Sequence, residues 1–280
     1  MLALLPPKSD FIIAIDRTNW KFGPLEINIL MAAVVYRATA FPLVWMLTDI
    51  KGNSNTTERI QLMERLFKCL PKKQIKAVVA DREFIGCYWF KWLQKERLIF
   101  YIRIKKNTQV STQGSAKPVF WRFESLAINQ AKTIAAPVRL SGHKLHLAGV
   151  KLAPDYVIIA TNGAVDSALE IYGLRWGIET LFSALKKRGF NLETTHLTDI
   201  KRIEKLVAIL AITLSWAHLV GEWLAEQQPL KIKKHGYQAK SILRYGLDYL
   251  QYLVLNLTHR IQQLLQCFYL WSEAIDSRLT

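Results

Sequence analysis

A phenol, a carboxylate and two cations, Tyr172, Glu179, Arg175 and Lys186, lie within one short stretch, YGLRWGIETLFSALKKR at 172–188. At about 100° of rotation per residue, with Tyr172 at zero, Arg175 falls near −60°, Glu179 near −20° and Lys186 near −40°. On a single helix all four therefore point the same way. Leu174, Ile178, Leu181, Phe182 and Leu185 form the opposite, apolar stripe, the side expected to pack on a core. The polar stripe is expected to face outward. Taken alone it reads equally well as a solvated face carrying a Glu–Arg pair at i,i+4 spacing.

Two more acids decide between those readings. Asp16 closes the β-rich run FIIAID (11–16) and Asp81 closes IKAVVAD (75–81), so both are expected at the C-terminal ends of strands, where open α/β sheets place their sites. Three carboxylates from separate elements converge at low cost only if something cancels their repulsion. Oxygen-only ligation with room for water and phosphate suits Mg²⁺, with Mn²⁺ as a substitute. Two such ions about 3.5–4 Å apart hold the attacking and leaving oxygens of an in-line phosphoryl displacement. Arg175 could then hold a phosphate bidentately, Lys186 as a point charge with Lys187 beside it, and Tyr172 through its hydroxyl. The expected catalytic and metal-holding set is Asp16, Asp81 and Glu179. Arg82 and Glu83, next to Asp81, read equally as supporting groups or as a local ion pair.

The elements that must position these residues alternate in type. FIIAID, INILMAAVVYR (27–37) and FPLVWMLTD (41–49) are apolar strand-like runs on short links, hence antiparallel neighbours. A helix follows at about 56–70, with Asn55 and Glu58 spaced as a capping box and Pro71 as its stop. Then come IKAVVAD, a helix at about 84–95, and the strand LIFYIRI (98–104). Three strands, helix, strand, helix, strand is the order of a ribonuclease-H-like mixed α/β sheet with flanking helices.

Residues 107–155 break that rhythm with Gly and Pro between short alternating pieces, and read as a β-rich insertion subdomain. The strand YVIIATN (156–162) returns to the core, and Ser167 with Glu170 is expected to cap the helix carrying Glu179. The expected division is 1–106, first part of the catalytic core; 107–155, insertion; 156–225, the rest of the core; and 226–280, a helical C-terminal region.

Composition points to the partner. Lys and Arg number 38 against 22 Asp and Glu, a net charge of +16 that favours a polyanion. The cations lie in short groups along the chain (Lys72-Lys73, Lys105-Lys106, Lys186 to Arg188, Lys231 to Lys234), as on a folded surface that tracks an extended anion. Trp121, in VFWRF of the insertion, and Trp176, near +40° on the same roughly 100°-per-residue wheel, are aromatic candidates for DNA contact, with packing as the competing role. The three cysteines and six histidines show no ligand spacing. The apolar stretch 206–221 falls short of the roughly 20 residues a membrane span needs and reads as a core helix. The opening MLALLPPKSD has too short an apolar run and no basic n-region, and is not expected to be a secretory signal.

The spacing Tyr-x2-Arg-x3-Glu-x6-Lys, with AIDRT around Asp16 and VVADREF around Asp81, resembles the signature of the insertion-sequence-four group of DDE transposases, over about residues 10–255. The resemblance implies a ribonuclease-H-like core with a β-rich insertion between second Asp and Glu; the 98-residue gap from Asp81 to Glu179 is similar. It implies metal-dependent cutting at transposon ends and 3′-hydroxyl joining to target DNA, with two Mg²⁺, by a homodimer on double-stranded DNA in a bacterial cytoplasm, associated with the nucleoid. Only 15 residues precede Asp16, where such enzymes carry a DNA-binding region. A truncated copy, an isolated catalytic fragment, a lineage that recognises ends by other elements, and a catalytically idle DNA-binding or inhibitory derivative all remain open.

Overall fold

A computed structural model describes residues 10–22, 25–37, 39–48, 52–112, 114–188, 190–234, 236 and 238–276. The chain divides into two units, residues 9–183 and a second unit from Ala184 onward.

The first unit is built on one mixed sheet. Three antiparallel strands, β1 (Phe11–Phe22), β2 (Leu25–Tyr36) and β3 (Thr39–Thr48), lead into helix α1 (Thr56–Cys69) and strand β4 (Ile75–Ala80). Helix α2 (Cys87–Lys95) then leads to β5 (Phe100–Ile104). A small two-stranded pair, β6 (Gln109–Val110) with β7 (Lys117–Pro118), precedes β8 (Ala131–Leu140), β9 (His143–Lys151) and β10 (Tyr156–Thr161). The large sheet runs β3-β2-β1-β4-β5-β10-β9-β8. β4 is parallel to β1 and to β5, and the remaining pairs are antiparallel. This is the expected ribonuclease-H-like mixed sheet, extended at one edge: β8 and β9, from the segment expected as an insertion, continue the same sheet beyond β10.

Local chemistry explains the elements. Every residue from Ile29 to Val34 in β2 is apolar and buried. Such a continuous apolar run marks a strand covered on both faces. β8, at the sheet edge, is mostly exposed over 131–137. The capping box of α1 is in place: the Glu58 amide donates to Asn55 Oδ1 at 2.9 Å and the Asn55 amide to Glu58 Oε2 at 2.9 Å. That reciprocal pair contributes about 1 kcal/mol to the start of the helix. Leu62, Met63 and Leu66 then form its buried face. α2 begins at Cys87, later than expected, because a turn in which the Phe84 amide donates to the Asp81 carbonyl at 3.0 Å occupies 81–84.

After β10 come α3 (Ala168–Gly173) and α4 (Trp176–Ser183), where one helix was expected. Ser167 occupies the position before α3, but its side chain makes no capping bond. Its backbone, at φ −93° and ψ 3°, lacks the extended conformation that aims a capping oxygen at the next amides.

The second unit is helical: α5 (Ile200–Gln227), α6 (Ile242–Leu255) and α7 (Leu257–Asp276). α5, at 28 residues, is longer than the apolar stretch 206–221 suggested. By length and composition it could cross a bilayer, yet half of its most apolar window is buried inside the protein. It packs against α6 at two glycines: a Cβ on Gly246 would overlap the carbonyl oxygen of Ala217, and one on Gly221 that of Ile242. Backbone cannot yield as a flexible side chain does, so Gly246→Ala is expected to cost about 1–3 kcal/mol in overpacking. Chemical denaturation checks this; unchanged stability would mean the two helices separate freely.

Candidate active site

β1 supplies Asp16 from its interior, not from its end as expected. The strand continues to Phe22 because the β1–β2 ribbon stays paired as far as Phe22↔Leu25. The β1–β4 pairing, by contrast, stops at Ile15↔Ala80. Asp16 and Asp81 are therefore the first residues beyond the last paired positions of two parallel neighbours.

The helical stripe meets them from above. The Leu174 and Arg175 amides bond three residues back, to Ile171 and Tyr172 at 3.2 and 2.9 Å, and the Gly177 and Ile178 amides likewise reach Leu174 and Arg175. This tighter, 3₁₀-like winding breaks the expected single helix into α3 and α4. The polar stripe does not face solvent at its centre: Tyr172 and Arg175 are buried, at 8% and 6% exposure, which corrects the outward-facing reading. They turn inward because the acids at the sheet offer them partners.

Arg175 is the hub. Its Nη1 donates to Asp16 Oδ2 at 2.8 Å, its Nη2 to Glu179 Oε1, and its Nε to the Tyr172 hydroxyl at 3.1 Å. The Tyr172 hydroxyl donates in turn to Asp81 Oδ1 at 3.3 Å. Asp16, Asp81 and Glu179 thus share one hydrogen-bonded network.

Burial, assisted by the negative charges of Asp81 and Glu83, outweighs the pull of Arg175 and of the Arg17 amide, and pushes the Asp16 carboxyl up to about 6. Burial also raises the Tyr172 phenol to about 12, so it remains a donor. For Arg175, burial opposes the charge, but Tyr172, Asp16 and Glu179 overcome it and hold the guanidinium protonated more firmly than usual.

The Asp16 shift has a consequence for stability. Between the ordinary carboxyl value near 3.8 and the folded value of about 6, the unfolded chain releases a proton that the folded chain keeps. Stability therefore falls as pH rises through that window, and the loss is complete above it. Its size is on the order of 3 kcal/mol. In denaturant melts with chelator present, Asp16→Asn is expected to be more stable than the parent at pH 7 and indistinguishable from it near pH 4. Parallel pH profiles would mean that Asp16 is fully compensated.

A second polar network flanks the first, and sequence spacing did not reveal it. Arg17 contacts Glu83 at 3.3–3.4 Å, while its Nη1 donates to Asn19 and Asn28 at 2.7 and 2.8 Å. Arg59 donates to the Glu83 carbonyl at 2.8 Å and to Ser54. The long-range partner of Glu83 is thus Arg17, not its neighbour Arg82. The only hint in the sequence is that Arg17 and Glu83 each closely follow one of the two strand acids, Asp16 and Asp81.

The other expected residues lie elsewhere. Trp121 is half exposed beside a cavity of about 420 Å³, also lined by Thr112, Ser115, Lys117 and Arg122, with Lys117 Nζ 5.3 Å from its ring centre. Trp176 is 67% exposed on α4. Lys186 is half-buried in a π-turn at Ala184–Arg188, in the second unit, and the side chain of Lys187 lies outside the described residues.

Among the described residues, no three His, Cys, Asp or Glu side chains stand close enough together to ligate one ion as they are. The donor set nonetheless fits a hard divalent cation in kind. It is all oxygen, and the buried Asp16 carboxyl lacks sufficient positive charge even with Arg175 beside it.

A mixed sheet with two acids beyond adjoining parallel strands and a third on a following helix is a ribonuclease-H-like arrangement. The comparison with known families is specific: the family described as "Transposase DDE domain" matches residues 7–216, and the chain belongs to it. Its members are transposases, DNA-cutting enzymes that use divalent metal ions. No curated protein matches the chain.

Proposed function

We propose that the chain is the catalytic domain of a transposase of the insertion-sequence-four group, with Tyr172, Arg175, Glu179 and Lys186 as its four-residue signature. It cuts at transposon ends and joins the 3′-hydroxyl to target DNA. The observation that carries this reading is the meeting of Asp16, Asp81 and Glu179 in one network through Arg175 and Tyr172.

Asp16, Asp81 and Glu179 would hold two Mg²⁺, or Mn²⁺ in their place. When bound, such ions activate the attacking oxygen and stabilise the departing 3′-oxygen. The chain's own residues prepare the site. Arg175 holds Asp16 and Glu179 toward each other, and Tyr172 orients Asp81 while keeping its own proton. Arg175 takes a DNA phosphate by giving up one of its present partners, since all three guanidinium nitrogens are engaged. Lys186 and Lys187 are proposed as further phosphate-binding residues. Trp121, exposed next to Lys117 and Arg122, offers a stacking face for a base, and Trp176 a second.

The reading extends to a homodimer on double-stranded DNA, a cytoplasmic, nucleoid-associated bacterial protein, and α5 as a core helix without membrane contact. It keeps the division into core (1–106 and 156–225), insertion (107–155) and helical C-terminal region (226–280).

The test supplies purified chain with Mg²⁺, a labelled duplex carrying the ends that flank its gene, and a target plasmid. Joined products are expected. Nicks without joining, or DNA retention without chemistry, would replace the reading with a simple nuclease or a binding protein.

A further inference from the structure

Backbone pairing between β1 and β4 ends at Ile15↔Ala80, so no shared ladder bond fixes the separation of the next residues, Asp16 and Asp81. The first cross-link beyond them is made by side chains. We infer that Arg17 and Glu83 are positioning residues that set the spacing of the Asp16 and Asp81 carboxylates for a divalent cation. This inference rests on the metal-holding role proposed above.

The geometry is that of a clamp. Arg17 directly follows Asp16, and its side chain leaves the opposite face of β1, as strand alternation requires. There it reaches Glu83, two residues beyond Asp81 and 66 positions away in the chain. Both side chains of the pair are mostly buried, at 14% and 18% exposure, so the contact is shielded from solvent.

Each end is anchored separately. Nη1 of Arg17 is fixed by Asn19 and Asn28, residues that face each other across β1 and β2. On the other side, Ser54 Oγ donates to Glu83 Oε1 at 3.4 Å, and Arg59 of α1 holds the Glu83 carbonyl at 2.8 Å. The ladder thus sets the spacing of the two acids from below and the clamp sets it from above. A pair serving only as glue for the fold would leave the metal affinity of the folded chain unchanged.

Mn²⁺ binding to the full chain, read from the paramagnetic resonance signal of free Mn²⁺, separates these roles. Circular dichroism melts ensure that each variant is measured well below its unfolding midpoint. Glu83→Gln, which keeps shape and removes charge, is expected to weaken Mn²⁺ binding about 10-fold, the usual range for groups that orient metal ligands. Its kcat for nicking should fall while KM for duplex stays unchanged. Arg17→Lys keeps the charge but loses the planar fork, and should weaken binding about 3-fold. Where Glu83→Gln does not fold, Arg17→Lys carries the same test. Wild-type Mn²⁺ affinity in the folded variants, with Asp81→Ala losing the ion, overturns the inference alone. Wild-type affinity in Asp81→Ala overturns the metal-holding reading beneath it.

Discussion

Asp81→Ala and Glu179→Ala are each expected to lower Mg²⁺-dependent nicking by at least about 10³-fold, a barrier increase on the order of 4 kcal/mol. A hard cation held by carboxylates supplies several kcal/mol of charge stabilisation at the reacting phosphate, and removing one ligand removes much of it. Duplex binding should persist. The chain's +16 net charge supplies the attraction, and loss of one carboxylate makes the surface more positive. Single-turnover nicking of a labelled duplex beside a filter-binding titration reads both quantities. Tyr172→Phe provides the contrast. It removes one donor to Asp81 but no metal ligand, so its nicking should fall far less than that of Asp81→Ala. Nicking by either alanine variant within about tenfold of the parent, a deficit of only some 1.4 kcal/mol, would remove that acid from the chemistry.

The local part of this site was legible because its signals are local. β-branched runs ending in Asp16 and Asp81 read as strands, and Asn55 and Glu58 read as a capping box, since each signal lies within a few residues. The order of those elements then limited the sheet to a ribonuclease-H-like arrangement. The helical wheel failed at its centre for a definite reason. It assumes one rotation per residue throughout, whereas the chain tightens at Leu174 and Arg175 and starts a new helix at Trp176. The wheel still put Arg175 beside Glu179, because an i,i+4 neighbour survives the change. What it could not show was burial, which depends on the acids that the sheet brings beneath the helix. The Arg17–Glu83 clamp was hidden for a related reason: no periodicity connects residues that meet only after β4 has paired with β1.

The same burial makes Arg175→Ala a strongly destabilising change. In this variant Asp16 and Glu179 lose the guanidinium between them while Asp81 and Glu83 keep repelling Asp16. Removing one partner of a buried ion pair costs about 3–5 kcal/mol, because the remaining charge stays out of water without compensation. A domain's whole stability is only about 5–15 kcal/mol, so the variant should unfold at markedly lower urea concentration. Arg175→Lys should recover little, since an ammonium cannot reach Asp16, Glu179 and Tyr172 with one planar fork. The pH profile separates charge from packing. Well below pH 4 the Asp16 carboxyl is protonated in folded and unfolded chains alike, and the penalty from its charge vanishes. Arg175→Ala should therefore approach the parent in that range and diverge from it towards pH 7. A deficit independent of pH would trace the damage to lost packing of the arginine stem, and a deficit under about 1 kcal/mol at pH 7, the range of exposed pairs, would mean that Arg175 does not compensate the acids at all.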